Sequence, residues 1–366
     1  MTPAFSSSRQ AAAFALLLAL LLALPALVAP TGWLKRRDVY PSIPSKYGPF
    51  SWIQQQIFTE TNAVDIAFLG SSLIWSGVNT PFVQRRLSEQ LRREAEVFTL
   101  GWPWPGYDPL YFIARDLLDQ RRVRMLVIYD EYRGSDMPHL HSSRWFRLGE
   151  NSEALDGLPW PAQAGLYGGA VLGMPRHLLS LVRSNLLEDP AHSGANIWNT
   201  FYRAPNVAEH RGALCARIGF DYLQNFTPYQ PLLVATPGDV VVYSADTRGA
   251  FTFTGPRTPP YQSHFARKLA QLCRERGTRL VVLHLPELRE CDQAAIPERE
   301  PWPEVWSAPV DLVGIPGAKL FAGIPVTDLK KFYYDPRHLN QNGQEMFTRL
   351  LTPVLLKLYA TSLNRF

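Results

Sequence analysis

The stretch DIAFLGSSLIWSGV, Asp65 to Val78, decides the fold. A short apolar run closed by Gly70 reads as a buried strand, and the paired Ser71 and Ser72 that follow read as the start of a helix. Outward from it the same alternation repeats. FVQRRLSEQLRREA (82–95) has helical spacing, EVFTLG (96–101) is apolar, DPLYFIARDLLDQR (108–121) is helical and VRMLVIYD (123–130) is apolar again. Such alternation predicts parallel strands joined by crossover helices, an α/β domain.

The pattern resumes late in the chain. QSHFARKLAQLCRERG (262–277) predicts a helix, TRLVVLHLP (278–286) a fourth strand, GIPVTDL (323–329) a weaker fifth, and a final helix runs from about Gln341 to Tyr359. Between them, residues 135–260 lose the alternation and carry many Pro and Gly, one helix in RHLLSLVRSNLLE (176–188) and a strand pair in DVVVYSADTRGAFTFTG (239–255). The expected organisation is an α/β domain over 51–134 and 261–366, interrupted after the third strand by an insertion or cap over 135–260.

The amino-terminal region differs from the rest. After a tail over 1–10, residues 11–30 carry no charge and consist mostly of Ala and Leu. That is long enough to cross a bilayer core, which needs about 20 apolar residues. Leucine occupies the −3 position of each plausible cleavage point (Leu24 for Ala26, Leu27 for Ala29), so an uncleaved transmembrane anchor is expected. Basic residues lie on both sides of it, and the expected orientation, with the large carboxy-terminal part extracytoplasmic, follows from how early the apolar segment comes. Pro41, Pro44 and Pro49 mark 31–50 as a juxtamembrane linker.

Composition narrows the function classes. The net charge of +5 is modest, and the pairs Arg85-Arg86, Arg92-Arg93 and Arg121-Arg122 sit in helix-like segments without interleaved aromatics, so they read as solvated faces rather than a nucleic-acid surface. Cys215, Cys273 and Cys291 imply no disulfide framework, and Cys273 with Cys291 are either a pair or two buried thiols.

In an open parallel sheet, reactive groups gather in the loops after the strands' carboxyl ends. Ser71 and Ser72 follow the first strand there, where a serine serves equally as a helix cap or as a nucleophile beside free backbone N–H groups. YYDPRHLNQNGQEMF (333–347) places Asp335 three residues before His338, just ahead of the final helix. A nucleophilic serine needs a base, and the base needs an acid that fixes its tautomer; Asp-x-x-His supplies both. In TLGWPWPGYD (99–108), Gly101 leaves its N–H open to a substrate oxygen, while Trp102 and Trp104 either line a pocket or pack in the core. Asp130 and Glu131, at the end of the third strand, either face the same rim as a substrate pocket or form a structural ion pair. DMPHLH (136–141) lacks the register of a zinc motif, so neither a metal nor a cofactor is expected.

These blocks resemble the SGNH, or GDSL-like, hydrolase superfamily over about residues 64–134 and 261–359. The resemblance implies a three-layer, flavodoxin-like parallel sheet. It makes Ser72 the nucleophile, with Ser71 where the family usually carries aspartate, the Ser72 and Gly101 N–H groups oxyanion donors, and Asp335 and His338 the acid and base. IYDEYRG (128–134) stands where the family carries Gly-x-Asn-Asp and offers no asparagine. Loss of one such donor costs on the order of 100 to 1000-fold in turnover. With an amino-terminal anchor, the chain looks like the membrane-attached branch that accompanies O-acylation of cell-surface polymers, such as the teichoic-acid D-alanyl transfer and alginate acetylation proteins. That likeness implies an acyl ester or glycan substrate outside the cytoplasm and a polytopic membrane O-acyltransferase as partner. The alternative of another class is a scaffold or glycan-binding module that keeps the fold without turnover.

Overall fold

The computed structural model describes residues 7–43, 48–102, 104–129, 137–150, 152–182, 228–254, 258–298 and 310–363. The chain opens with α1 (Ser8–Val28), an apolar helix whose side chains are mostly exposed and which is long and apolar enough to cross a membrane. Short 3-10 turns over Arg36–Asp38 and Tyr40–Ser42 lead into α2 (Phe50–Phe58). The prolines of this stretch mark a linker, yet Val39, Tyr40 and Ile43 are buried in the core, and the Tyr40 hydroxyl donates to Asp116 Oδ2 at 2.8 Å.

The centre is a mixed α/β arrangement around a six-stranded, mostly parallel sheet. The strands β1 (Val64–Gly70), β2 (Val97–Gly101) and β3 (Val123–Tyr129) are linked through α3 (Ser72–Gly77), α4 (Thr80–Leu91) and α5 (Tyr107–Gln120). After the insertion come α9 (Pro260–Glu275), β6 (Arg279–Leu283), β8 (Asp311–Gly314), the short α10 (Gly317–Leu320) and the final α11 (Gln341–Leu363). The sheet order is β2-β1-β3-β6-β8-β4, where β4 (Val241–Val242) joins the edge antiparallel to β8 and all other pairings are parallel. Every residue of β1 is buried, as expected for a strand covered by helices on both faces.

Three expectations need correction. The fifth parallel strand is DLVG at 311–314, whereas most of GIPVTDL enters a 3-10 helix over Val326–Phe332. Pro325 caps that 3-10 turn, and proline cannot donate to a sheet ladder. The strand pair expected within 239–255 does not pair with itself, since β4 borders β8 and β5 (Phe251–Phe253) runs parallel to β7 (Ile296–Glu298). The arginine pairs are not simply a solvated face either. Arg121 is buried, donating to the carbonyls of Asn62 and Gln56, and Arg93 holds Asp65.

Besides β4 and β5, the described elements of the insertion are helical. Of these, α6 (Ser143–Phe146) stacks Trp145 on Phe112 of α5, and α7 (Trp160–Leu172) and α8 (Met174–Val182) follow. Of the cysteines, Cys273 and Cys291 are separate buried thiols, and Cys215 lies outside the described residues.

Candidate active site

Gly70 closes β1 and Ser71 serves as the extended N-cap of α3, so Ser72 is the first residue of that helix. From Leu73 to Gly77 the helix is buried, leaving Ser72 as the part that reaches the rim. This rim lies at the carboxyl end of β1, between β2 and β3, where the order of the parallel strands reverses; such a crevice is where open α/β sheets bind ligands.

The second loop is built to present two side chains. Tyr333 and Leu339 form an antiparallel bridge, and the Tyr334 N–H donates to the His338 carbonyl, closing residues 333–339 into a small hairpin. Within it, Asp335 Oδ1 accepts the N–H groups of Arg337 and His338 at 2.8 and 2.9 Å. Asn340 then starts α11: its Oδ1 accepts from Asn342 and Gly343, while its Nδ2 donates to the Lys331 carbonyl. Gly343 is required there, because a Cβ would lie 2.3 Å from the Phe332 carbonyl oxygen.

The two loops meet. Ser72 Oγ lies 3.0 Å from His338 Nε2, and His338 Nδ1 lies 2.8 Å from Asp335 Oδ2. With Nδ1–H donating to the carboxylate, Nε2 is left as the acceptor for the serine proton. Burial works against charge on Asp335, but the His338 ring and the N–H groups of Arg337 and His338 hold its pKa below the usual carboxylate range. An alcohol, an imidazole and a carboxylate in this order can activate a nucleophile and stabilise the imidazolium that forms.

The loops are cross-braced by residues that motif reading did not mark. Gln344 Nε2 of α11 donates to the Trp75 carbonyl of α3 at 3.1 Å, and the Asn79 N–H donates to Thr348 Oγ1. Behind Asp335 and His338, Arg337 Nε donates to Glu287 Oε1 at 3.0 Å, the Leu288 N–H to the Pro336 carbonyl, and the Tyr333 hydroxyl to the Pro286 carbonyl. Glu287 follows the carboxyl end of β6, and that position was the one available signal for it.

The other expected site residues are dispersed. Gly101 is level with Gly70 in the sheet, but the space its missing side chain leaves is taken by Trp75: a Cβ would sit 1.6 Å from Trp75 Nε1. Trp102 is wholly buried, because its N–H extends the pairing to the Gly70 carbonyl, and its indole belongs to the core rather than to a pocket. Trp104 is about half exposed, at φ +65°. Asp130 and Glu131 lie outside the described residues, as does Asp136. His139 and His141 are buried at the entry to α6, where Asp108 Oδ2 accepts the His139 N–H and the His141 ring packs edge-on against Phe50. Among the described residues no group of side chains could hold a metal ion. A groove of about 520 Å³ opens beside Asp335, lined by Leu288, Lys330, Lys331, Tyr333, Tyr334 and Pro336.

No protein-family model matches the chain, and no curated protein matches it.

Proposed function

We propose that the protein is a membrane-anchored serine esterase or O-acyltransferase of the SGNH type, working through an acyl ester on Ser72. One observation carries this reading: the continuous line of contacts from Ser72 Oγ through His338 to Asp335. The order of the parallel strands also favours it, since β2-β1-β3-β6-β8 has the flavodoxin-like sequence 2-1-3-4-5.

In the first step His338 Nε2 takes the Ser72 proton as Oγ attacks the acyl carbon, and the carbonyl π electrons move onto oxygen. The N–H groups of Ser72 and Gly101 are the expected donors to that oxyanion. Collapse of the intermediate breaks the bond to the leaving oxygen, which receives the proton from His338. Water or a sugar hydroxyl then attacks the acyl-serine, again losing its proton to His338, and Ser72 is regenerated. No cofactor enters these steps.

The helix α1 supports a membrane location, and with it a polysaccharide or glycolipid substrate outside the cytoplasm and a polytopic membrane O-acyltransferase as working partner. A serine-directed fluorophosphonate tests the assignment. It is expected to label the wild type and to spare Ser72→Ala; equal labelling of both would remove Ser72 from the role. The missing asparagine in 128–134 favours a second reading, a scaffold or glycan-binding protein with the same fold, for which His338→Gln would leave the cellular phenotype intact.

A further inference from the structure

Helix α7, WPAQAGLYGGAVL, carries no charged residue, and its only polar side chain with an amide, Gln163, turns back to the Leu158 carbonyl. It packs against α1. The Tyr167 hydroxyl donates to the Leu22 carbonyl, so the middle of α7 lies level with a point six residues before the end of α1 at Val28. At 1.5 Å of rise per residue that is about 9 Å back along α1, inside the apolar run rather than beyond it. A helix that crosses a bilayer at Ser8–Val28 therefore carries this part of α7 into the hydrocarbon with it.

Three independent features fit that location. Leu172 and Trp160 are exposed at 77% and 75%, and on α8 Leu179 and Val182 are exposed as well, with Arg176 between Leu172 and Leu179. Large exposed apolar side chains on a helix that packs against an apolar helix mark an interaction face. The last carbonyls of α7, which water would satisfy on an ordinary surface helix, are instead met inside the protein. Buried Arg147 donates to the carbonyls of Ala170 and Gly169 at 2.8 and 3.0 Å. Finally, a Cβ at Gly165 or Gly168 would meet nothing within 4 Å, so no protein packing accounts for the bare stripe on this side of α7.

We propose that the lipid bilayer is the partner of this face: α7 is embedded beside α1, and the folded domain is seated in the membrane surface by two helices rather than hung from one. The inference rests on the reading of α1 as a membrane span. Its continuity with α1 singles out lipid over a second protein as the occupant.

The test uses the full chain in liposomes of phospholipid alone, with Cys215, Cys273 and Cys291 replaced by alanine. Single cysteines are introduced as Gly168→Cys and Leu172→Cys on α7, Leu17→Cys on α1 and Arg86→Cys on α4. Each is labelled with a polarity-sensitive fluorophore and challenged with lipids carrying a spin label in the acyl chain. The expected result is quenching at both α7 positions several-fold above that at Arg86→Cys and comparable with Leu17→Cys. Strong quenching at Leu17→Cys with both α7 positions behaving like Arg86→Cys overturns the inference, leaves the anchor standing and gives the face to a protein partner. No quenching at Leu17→Cys removes the anchor reading and the inference together. Near-ultraviolet circular dichroism of each labelled variant verifies that the fold is retained.

Discussion

Arg337 donates from Nε to Glu287 Oε1 at 3.0 Å, so the loop that presents Asp335 and His338 is fastened to the loop after β6. Glu287 is almost fully buried and also receives Arg289, whereas Arg337 is about half exposed. The pair therefore positions His338 more than it stabilises the fold. Arg337→Ala is expected to slow fluorophosphonate labelling of Ser72 by roughly 10 to 100-fold, the cost of an ångström-scale misplacement. The melting temperature should barely move, and Arg337→Lys should restore part of the rate. A large fall in melting temperature with an unchanged labelling rate would make the pair a purely structural brace.

Asp335 keeps its carboxylate because the His338 ring and two backbone N–H groups bind the charged form. Asp335→Asn retains the shape but offers an amide that permits the wrong imidazole tautomer. Turnover of an activated ester is expected to fall by about 1000 to 10000-fold, with little change in substrate affinity. Steady-state kinetics on a nitrophenyl ester would measure it, and a loss confined to KM would contradict the role.

His284 lies between Glu298 Oε1 at 2.9 Å and Glu290 Oε2 at 3.1 Å. Burial opposes its charge, but the hydrogen bonds to Glu290 and Glu298 raise its pKa to about 9. Histidine in an unfolded chain titrates near 6.5, so the stabilisation is complete below about 6.5 and is lost as pH rises through about 9. Denaturant titrations from pH 6 to 10 should show the wild type losing about 3 kcal/mol across this window. His284→Gln should start lower and change less, and parallel curves for the two proteins would exclude His284 as the source.

Gly101 and Trp75 interlock beneath the rim, with no room for a methyl group between them. Gly101→Ala is expected to destabilise the protein by about 1 to 3 kcal/mol through overpacking. Thermal melts of Gly101→Ala, Trp75→Phe and the double variant would reveal the coupling, because the smaller ring should relieve part of the clash. Strictly additive effects would mean that the two residues do not share the space.

The parts of this protein that were legible in its sequence are local. Ser72 and the Asp335–His338 loop could be found because a strand, a turn and a three-residue spacing each leave a mark within a few positions. The long helices could be found because burial of one face imposes a period, and β1, β2, β3 and β6 because burial on both faces leaves a short apolar run. By contrast, β8 has four residues, and its neighbour Ile324-Pro325-Val326 is apolar without being extended, so hydrophobicity alone pointed to the wrong segment. The partners of β4 and β5 lie far along the chain, and nothing inside 239–255 specifies them. Trp102, in a Gly- and Pro-rich loop, could be read either as a pocket residue or as a core residue, and one more ladder hydrogen bond decides for the core. Glu287 and Gln344 carry no motif, since each matters only through a residue that folding brings beside it.

The burial of Val39 and Tyr40 has a geometric outcome for the chemistry proposed here. With the chain fixed in the core at Val39, eleven residues after the end of α1, the distance from the rim to the membrane is limited by a short connection. Ser72 would work at one altitude above the hydrocarbon, like a tool on a fixed post. Acceptor hydroxyls would be sorted by their stand-off from the membrane before any chemical feature of the sugar was read.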